Sequence, residues 1–577
     1  MKLRVAGLCG VLFLCTVLAN AFSLDREAFT FTNYDLNVQV EPAQQRLGAR
    51  GKITLRNDSQ APQKIAVLQI SSSLNWRSIK SGDKPLQFVT QPYTSDVDHT
   101  GSLSEVVVTL REPVAPKGSI EIEISYEGVI VLDAARLTRI GTPEGEADSS
   151  DWDQITGKFT AVRGVGHVAW YPIATEAANL SEGSSVFEVL GRWKAREAES
   201  SMHLQLELMS DGATQPTRLL VNKPSCVLYE KEEGSFRQTG ADCVYGPLGL
   251  TTPAFFVADY GLVERPSVEV FYLPGHDVAA ATYADAAEKA APFISDWFGA
   301  LNEKAKTADL ADPSAAPFES GSLLLIPLSG GDSKLDALAA AHQLAHAAFS
   351  SPRPWINEGL AHFAQALYLE QQKGRQAALD YMGLHRSAFG QTEKQAAPRS
   401  EDESGRSLVN TTSEELYRSK AMYVWWMLRD MIGEAALKKA LAAYHAEQDK
   451  EPTYMPRLIA AQNQRDLEWF FHDWVYRDRG LPDFRVESAI ARKTLTDSYL
   501  VTVSIENLGG AGAEVPVAVK FTGGEISKRI EVHAKSRAVF RVEVPAAPHE
   551  VVVNDGSVPE SDMGNNVFRI EAVADQH

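Results

Sequence analysis

The sequence predicts a multidomain α+β protein, with an N-terminal antiparallel β-sandwich, a mainly helical middle and a C-terminal β-sandwich. Three observations carry this. Apolar and polar residues alternate at period two from about Phe29 to Arg265. After Pro266 alanine-rich runs take up helical spacing, and from Phe484 the alternation returns. At 577 residues the chain exceeds what one core can bury. The expected divisions are a leader over 1–21, then 22–265, 266–483 and 484–577.

The leader comes first. Lys2 and Arg4 precede an apolar run from Val11 to Leu18, and Ala19-Asn20-Ala21 offers a small-x-small cleavage site. This is the pattern of a secretory signal peptide cleaved near Ala21, too short to span a bilayer. The mature chain is therefore expected to be exported, secreted or periplasmic, with no transmembrane anchor. Cys9 and Cys15 leave with the leader, and the isolated pair Cys226 and Cys243 is expected to form a disulfide in an oxidising compartment. Two separate buried thiols are the alternative. The formal charge of −19, which becomes −21 without Lys2 and Arg4, opposes nucleic-acid binding. Asn57, Asn179 and Asn410 begin Asn-x-Ser/Thr sequons.

In the β-rich region Tyr34, Leu36, Val38 and Val40 alternate with polar residues, as do Ile120, Ile122, Ile124 and Tyr126. The acidic, aperiodic stretch Thr142–Asp153 reads as a surface loop. Val268–Tyr272 reads as a strand, Ala279–Phe298 as a helix, Glu303–Ala316 as a loop and Ser322–Leu328 as a strand. Asp332 or Ser333 is placed to cap a helix with the stripe Leu335, Leu338, His342, Ala345 or His346, and Phe349, which Pro352 and Pro354 stop. A second helix begins near Trp355, and others cover roughly Glu414–His445 and Leu467–Tyr476. Alternation at Tyr499, Val501, Val503 and Ile505, and at Phe540, Val542 and Val544, suggests an immunoglobulin-like sandwich.

The chemistry concentrates at His342-Gln343-Leu344-Ala345-His346. Two histidines four apart lie on one helical face, so both imidazoles can reach one metal ion. In the His-Glu-x-x-His motif the residue after the first histidine is the glutamate that takes a proton from water. Here it is Gln343, an amide that accepts no proton at neutral pH. A catalytic zinc needs a third ligand. Glu358 is the candidate, because Trp355-Ile356-Asn357-Glu358-Gly359 opens the next helix after a proline-bearing turn. His362, one turn further on, suits packing beside the ligands better than a fourth ligand position. Two histidines packed without a metal remain the bland alternative. No Gly-x-Ser-x-Gly elbow, Walker loop or dinucleotide fingerprint is present, and Ser329-Gly330-Gly331 is a turn signal.

Several segments share one resemblance. Trp170-Tyr171-Pro172, His342–His346, Trp355–Ala361, Lys420–Asp430 and Trp469–Pro482 together resemble the aminopeptidase-N family of gluzincin zinc metallopeptidases. The likeness is to its bacterial peptidase-like branch with a shortened connection between ligands, and it covers roughly residues 25–483. It implies a thermolysin-like helical domain, zinc as cofactor, a peptide or protein ligand, and His342, His346 and Glu358 as metal ligands. It puts Gln343 at the general-base position. Pro317–Gly321 stands where the family carries its amine-binding glutamate, so Glu319 would hold a substrate amino terminus. Aligned on Lys420-Ala421, Arg418 falls where the family has an oxyanion-stabilising tyrosine. Tyr417 is one residue, or about 100° of helix, away, and either could donate to an oxyanion. The implied function is an exported aminopeptidase-like protein that binds zinc and peptides and hydrolyses them weakly or not at all. The alternative is an active zinc aminopeptidase that uses another base.

Overall fold

Alternation at Tyr34, Leu36, Val38 and Val40 puts these side chains on the buried face of the strand Phe29–Glu41. The computed structural model describes residues 24–570 except 183–184, 210–217, 224–225, 234–235, 250, 329–332, 396–406, 412 and 478. The leader, the Ser329-Gly330-Gly331 turn and Asp332 as a cap lie outside the described residues. Phe29–Glu41 belongs to an eight-stranded sheet, antiparallel to Arg46–Asn57 but parallel to Ser201–Met209. The purely antiparallel expectation fails at this pair. A parallel partner needs a crossover, and the helix Ser185–Glu197 leads directly into it.

Two three-stranded sheets complete this region. Trp170 and Tyr171 are fully buried in its core. The Trp170 indole donates to the Pro253 carbonyl at 3.0 Å, and the Tyr34 hydroxyl donates to the Pro172 carbonyl at 3.1 Å. The disulfide Cys226–Cys243 is present. Asn57 is fully buried with its amide nitrogen bonded to the carbonyls of Ala61 and Val114, which removes its sequon from use.

Thr142–Asp153 is not a surface loop. It forms a helix, Glu144–Ser150, followed by buried Asp151, Trp152 and Asp153. Arg136 meets both oxygens of Asp151 at 2.7 Å, and Arg163 binds Asp153 at 2.7 Å. These partners neutralise the acids that read as solvent-facing.

Next comes a five-stranded sheet in the order Gly261–Glu264, Val268–Tyr272, Ala305–Asp309, Leu323–Ile326, Phe318–Ser320. Its three middle strands run parallel, and the helix Asp277–Phe298 joins the first two of these. Ala305–Asp309 corrects the loop expected over Glu303–Ala316. Thr307, Ala308 and Asp309 are all buried, so this central strand shows no polar alternation. Helices Ser333–Ala348, Pro354–Lys373, Arg375–Gln395, Ala421–Ile432 and Glu434–Ala442 follow. The single helix expected over Glu414–His445 is interrupted: a π-helical turn, Glu415–Lys420, precedes Ala421, and Gly433 at φ +84° separates the last two helices. No helix among the described residues is long and apolar enough to cross a membrane.

From Phe484 the chain forms a three-stranded and a four-stranded sheet. Val501, Val503 and Ile505 of one share a core with Val515, Val517, Val519, Val551 and Val553 of the other, and this core is continuous with that of the helices. Glu560 is buried there, accepting from the Phe484 amide at 3.0 Å and from Asn554 at 2.6 Å. Burial outweighs these donors and pushes its carboxyl up to about 7. Between the ordinary carboxylate value and about 7, the folded chain keeps a proton that the unfolded chain releases. This group's contribution to stability therefore falls as pH rises through that window, on the order of 1–3 kcal/mol. Thermal melts are expected to show Glu560→Gln gaining on the unmodified chain between about pH 5 and pH 7.5.

Candidate metal centre

Three elements converge on one point. The helix Ser333–Ala348 brings His342, Gln343 and His346, all buried. Its last carbonyls, which no further turn can satisfy, are taken by Asn302: the backbone N–H binds Ala347 and the side-chain amide binds Ala348, each at 2.8 Å. Pro354, with φ preset for a helix, opens the helix Pro354–Lys373. The turn between the two helices is pinned. The Ser351 amide donates to Asn357 Oδ1 at 3.1 Å, and Arg353 pairs with Asp449 at 2.7 Å. Glu358 is thereby folded back toward the histidines.

The rest of the Trp355–Gly359 run explains itself by packing. Trp355 stacks on Trp425 with ring centroids 5.2 Å apart, and its carbonyl accepts the Trp425 indole N–H at 3.2 Å. A Cβ at Gly359 would stand 2.7 Å from that of Ala421, so only glycine permits this helix approach.

The third element is the edge strand Phe318–Ser320. Its hairpin with Leu323–Ile326 turns at Gly321-Ser322, with Gly321 at φ +58°, a conformation suited to glycine. The register pairs Glu319 with Leu324. A slip of one residue would carry Glu319 to the other face. Phe318 packs on His167 and Phe256 of the N-terminal region, with centroids 5.9 and 5.8 Å away, and so holds the strand in place.

One donor atom from each of Glu319, His342, His346 and Glu358 lies within 4.8 Å of all the others. His342 Nε2 is 3.1 Å from His346 Nε2 and 2.5 Å from Glu319 Oε1. His346 Nε2 is 3.3 Å from the same Glu319 oxygen and 3.6 Å from Glu358 Oε1. Ligand atoms about 2.0–2.1 Å from a tetrahedral zinc stand ~3.3 Å from one another. The separations of 3.1, 3.3 and 3.6 Å approach that edge and the 2.5 Å one is shorter, while two imidazoles with two carboxylates suit zinc chemically. An orphaned polar atom adds to the fit: Gln343 Oε1 is buried beside the cluster without a hydrogen-bond partner.

The surroundings orient the ligands. His342 Nδ1 faces Gln365 Oε1 at 3.3 Å, which leaves its Nε2 for the cluster. Gln365 is itself held by the Tyr381 hydroxyl at 2.9 Å and the Leu338 carbonyl at 3.1 Å. Gln365→Leu is expected to lower zinc affinity by about 10–100-fold without unfolding the chain, measured by competition with a chromophoric chelator. Asn357 Nδ2 lies 3.3 Å from His346 Nδ1.

Charge is balanced locally. Burial opposes ionisation of Glu319, but His342 and then His346 outweigh it and hold the carboxyl well below its usual range. Burial opposes charge on His346 too, yet Glu358 and Glu319 raise it. His362 stacks edge-on against His342 with centroids 4.8 Å apart. Burial, with the neighbouring His342 and Arg418, keeps it neutral, and it is not among the four converging residues.

Gln343 donates its amide to Glu319 Oε1 at 2.9 Å. Arg418, from the π-helical turn, binds the second oxygen of Glu358 at 3.3 Å and Glu414 at 3.1 Å. Tyr417 engages Glu414, and burial first, then that carboxylate, raises its phenol strongly. One nearby group was not expected. Lys194, from the helix Ser185–Glu197, comes close enough for Glu414, Arg418 and Glu358 to act on its ammonium, which burial depresses. The signal was the spacing of Val186, Val189 and Trp193, which marks a helix inside the alternating region.

No family model and no curated protein matches the sequence. Solved structures do resemble the fold. An M1 zinc metallopeptidase mutant from Deinococcus radiodurans, bound to a Tyr-Ser-Ala substrate, is 16% identical with a TM-score of 0.47, over 80% of this chain and 97% of that one. Aminopeptidase A of Legionella pneumophila, in complex with aspartic acid, is 13% identical with a TM-score of 0.59, over 92% of this chain and 59% of that one. At such identity the likeness is one of fold alone, and it rests on the Legionella aminopeptidase structure.

Proposed function

We propose that this is an exported, aminopeptidase-fold protein that binds zinc and peptides and hydrolyses them weakly or not at all. The observation that carries the reading is Gln343. Its amide is buried beside both histidines and donates to Glu319, and it accepts no proton where a general base is needed. A positioned base is worth about 10²–10⁴-fold in rate. Zinc bound with one position open would supply Lewis-acid polarisation of a peptide carbonyl. His342, His346 and Glu358 would hold it, and Arg418, through the second oxygen of Glu358, keeps that carboxylate turned toward His346. Zinc-loaded protein is expected to bind labelled short peptides saturably by fluorescence anisotropy, with the peptides recovered intact. Failure to bind them, or rapid chelator-sensitive cleavage, would overturn the proposal.

A second reading is an active zinc aminopeptidase with another base. It is favoured by Glu319, a carboxylate 2.9 Å from the Gln343 amide and within the cluster. Chelator-sensitive release of amino-terminal residues, lost in Glu319→Gln, would select it.

A further inference from the structure

We infer that Glu319 is a fourth protein ligand, so that the zinc is held in a closed coordination shell with no position left for water or substrate. This rests on the zinc reading above and deepens it. Catalytic zinc sites keep three protein ligands and an open place, whereas structural sites fill all four. Here one oxygen of Glu319 lies 2.5 Å from His342 Nε2 and 3.3 Å from His346 Nε2, within reach of any ion that both imidazoles hold. Its backbone is fixed by the hairpin register and by the aromatic seat of Phe318. Gln343 completes the arrangement, because its amide N–H donates to the Glu319 carboxylate. A glutamate at 343 would repel that carboxylate instead. The substitution thus both removes a base and supports a ligand.

The test uses cobalt(II) in place of zinc in the full chain, with azide as the added ligand. The visible spectrum of the unmodified protein is expected to stay unmoved by azide. In Glu319→Ala it is expected to shift, with cobalt and zinc affinity lowered at least ~10-fold. Glu319→Gln serves as the second variant if the alanine chain melts early. An azide-responsive spectrum in the unmodified protein overturns the inference alone, as does unchanged metal affinity in both variants. Absence of any cobalt or zinc binding overturns the metal reading and this inference with it.

Discussion

The double substitution Gln343→Glu with Glu319→Ala is expected to raise peptide hydrolysis by about 10²–10⁴-fold over the unmodified chain, the usual worth of a positioned base. Both changes are needed because the two side chains form one unit. The Gln343 amide nitrogen stands 2.9 Å from Glu319 Oε1. With Gln343→Glu alone, two carboxylates would share that space, and one of them would stay protonated or turn away. Glu319→Ala alone opens the cluster but supplies no base. The single variants are therefore expected to gain less than the double by at least tenfold. Initial rates on short peptides, with and without chelator, measure this. A fully active Gln343→Glu single variant would mean that Glu319 leaves the fourth position free.

His346→Ala is expected to cost about 10²-fold or more in zinc affinity, since structural zinc binds with roughly 10–16 kcal/mol shared among four ligands. His346 is 7% exposed and contacts His342, Glu319 and Glu358. Its removal deletes a donor and leaves two carboxylates converging without it. The effect also appears in stability, because a ligand that binds only the folded state raises the melting temperature. Added zinc is expected to raise the melting temperature of the unmodified chain and to leave that of His346→Ala nearly unmoved.

The parts of the fold set by local periodicity were legible. The strand Phe29–Glu41, the helix Asp277–Phe298 and the return of strands after Phe484 follow from spacing alone. What stayed hidden depends on distant partners. Asp151 and Asp153 read as solvent-facing until Arg136 and Arg163 are seen to neutralise them. The parallel pairing of Phe29–Glu41 with Ser201–Met209 joins strands separated by most of the N-terminal region. At the site, the i, i+4 histidines and the Trp355–Gly359 run placed three donors that the structure brings together. Glu319 was named, but only its hairpin register shows how near it comes. No single-strand pattern predicts that distance. The pairing of Arg418 with Glu358 arises between elements far apart in sequence and carries no local signal.

The most direct measurement is timed release of amino-terminal residues from a short-peptide panel by the zinc-loaded, unmodified chain, with and without chelator. A peptide-binding protein deprived of its base is expected to give turnover at background, unchanged by the chelator, while the Gln343→Glu, Glu319→Ala chain cleaves. Chelator-sensitive turnover by the unmodified chain within about tenfold of that variant would contradict this, given the ~10²–10⁴-fold a base contributes, and would make the protein a working peptidase.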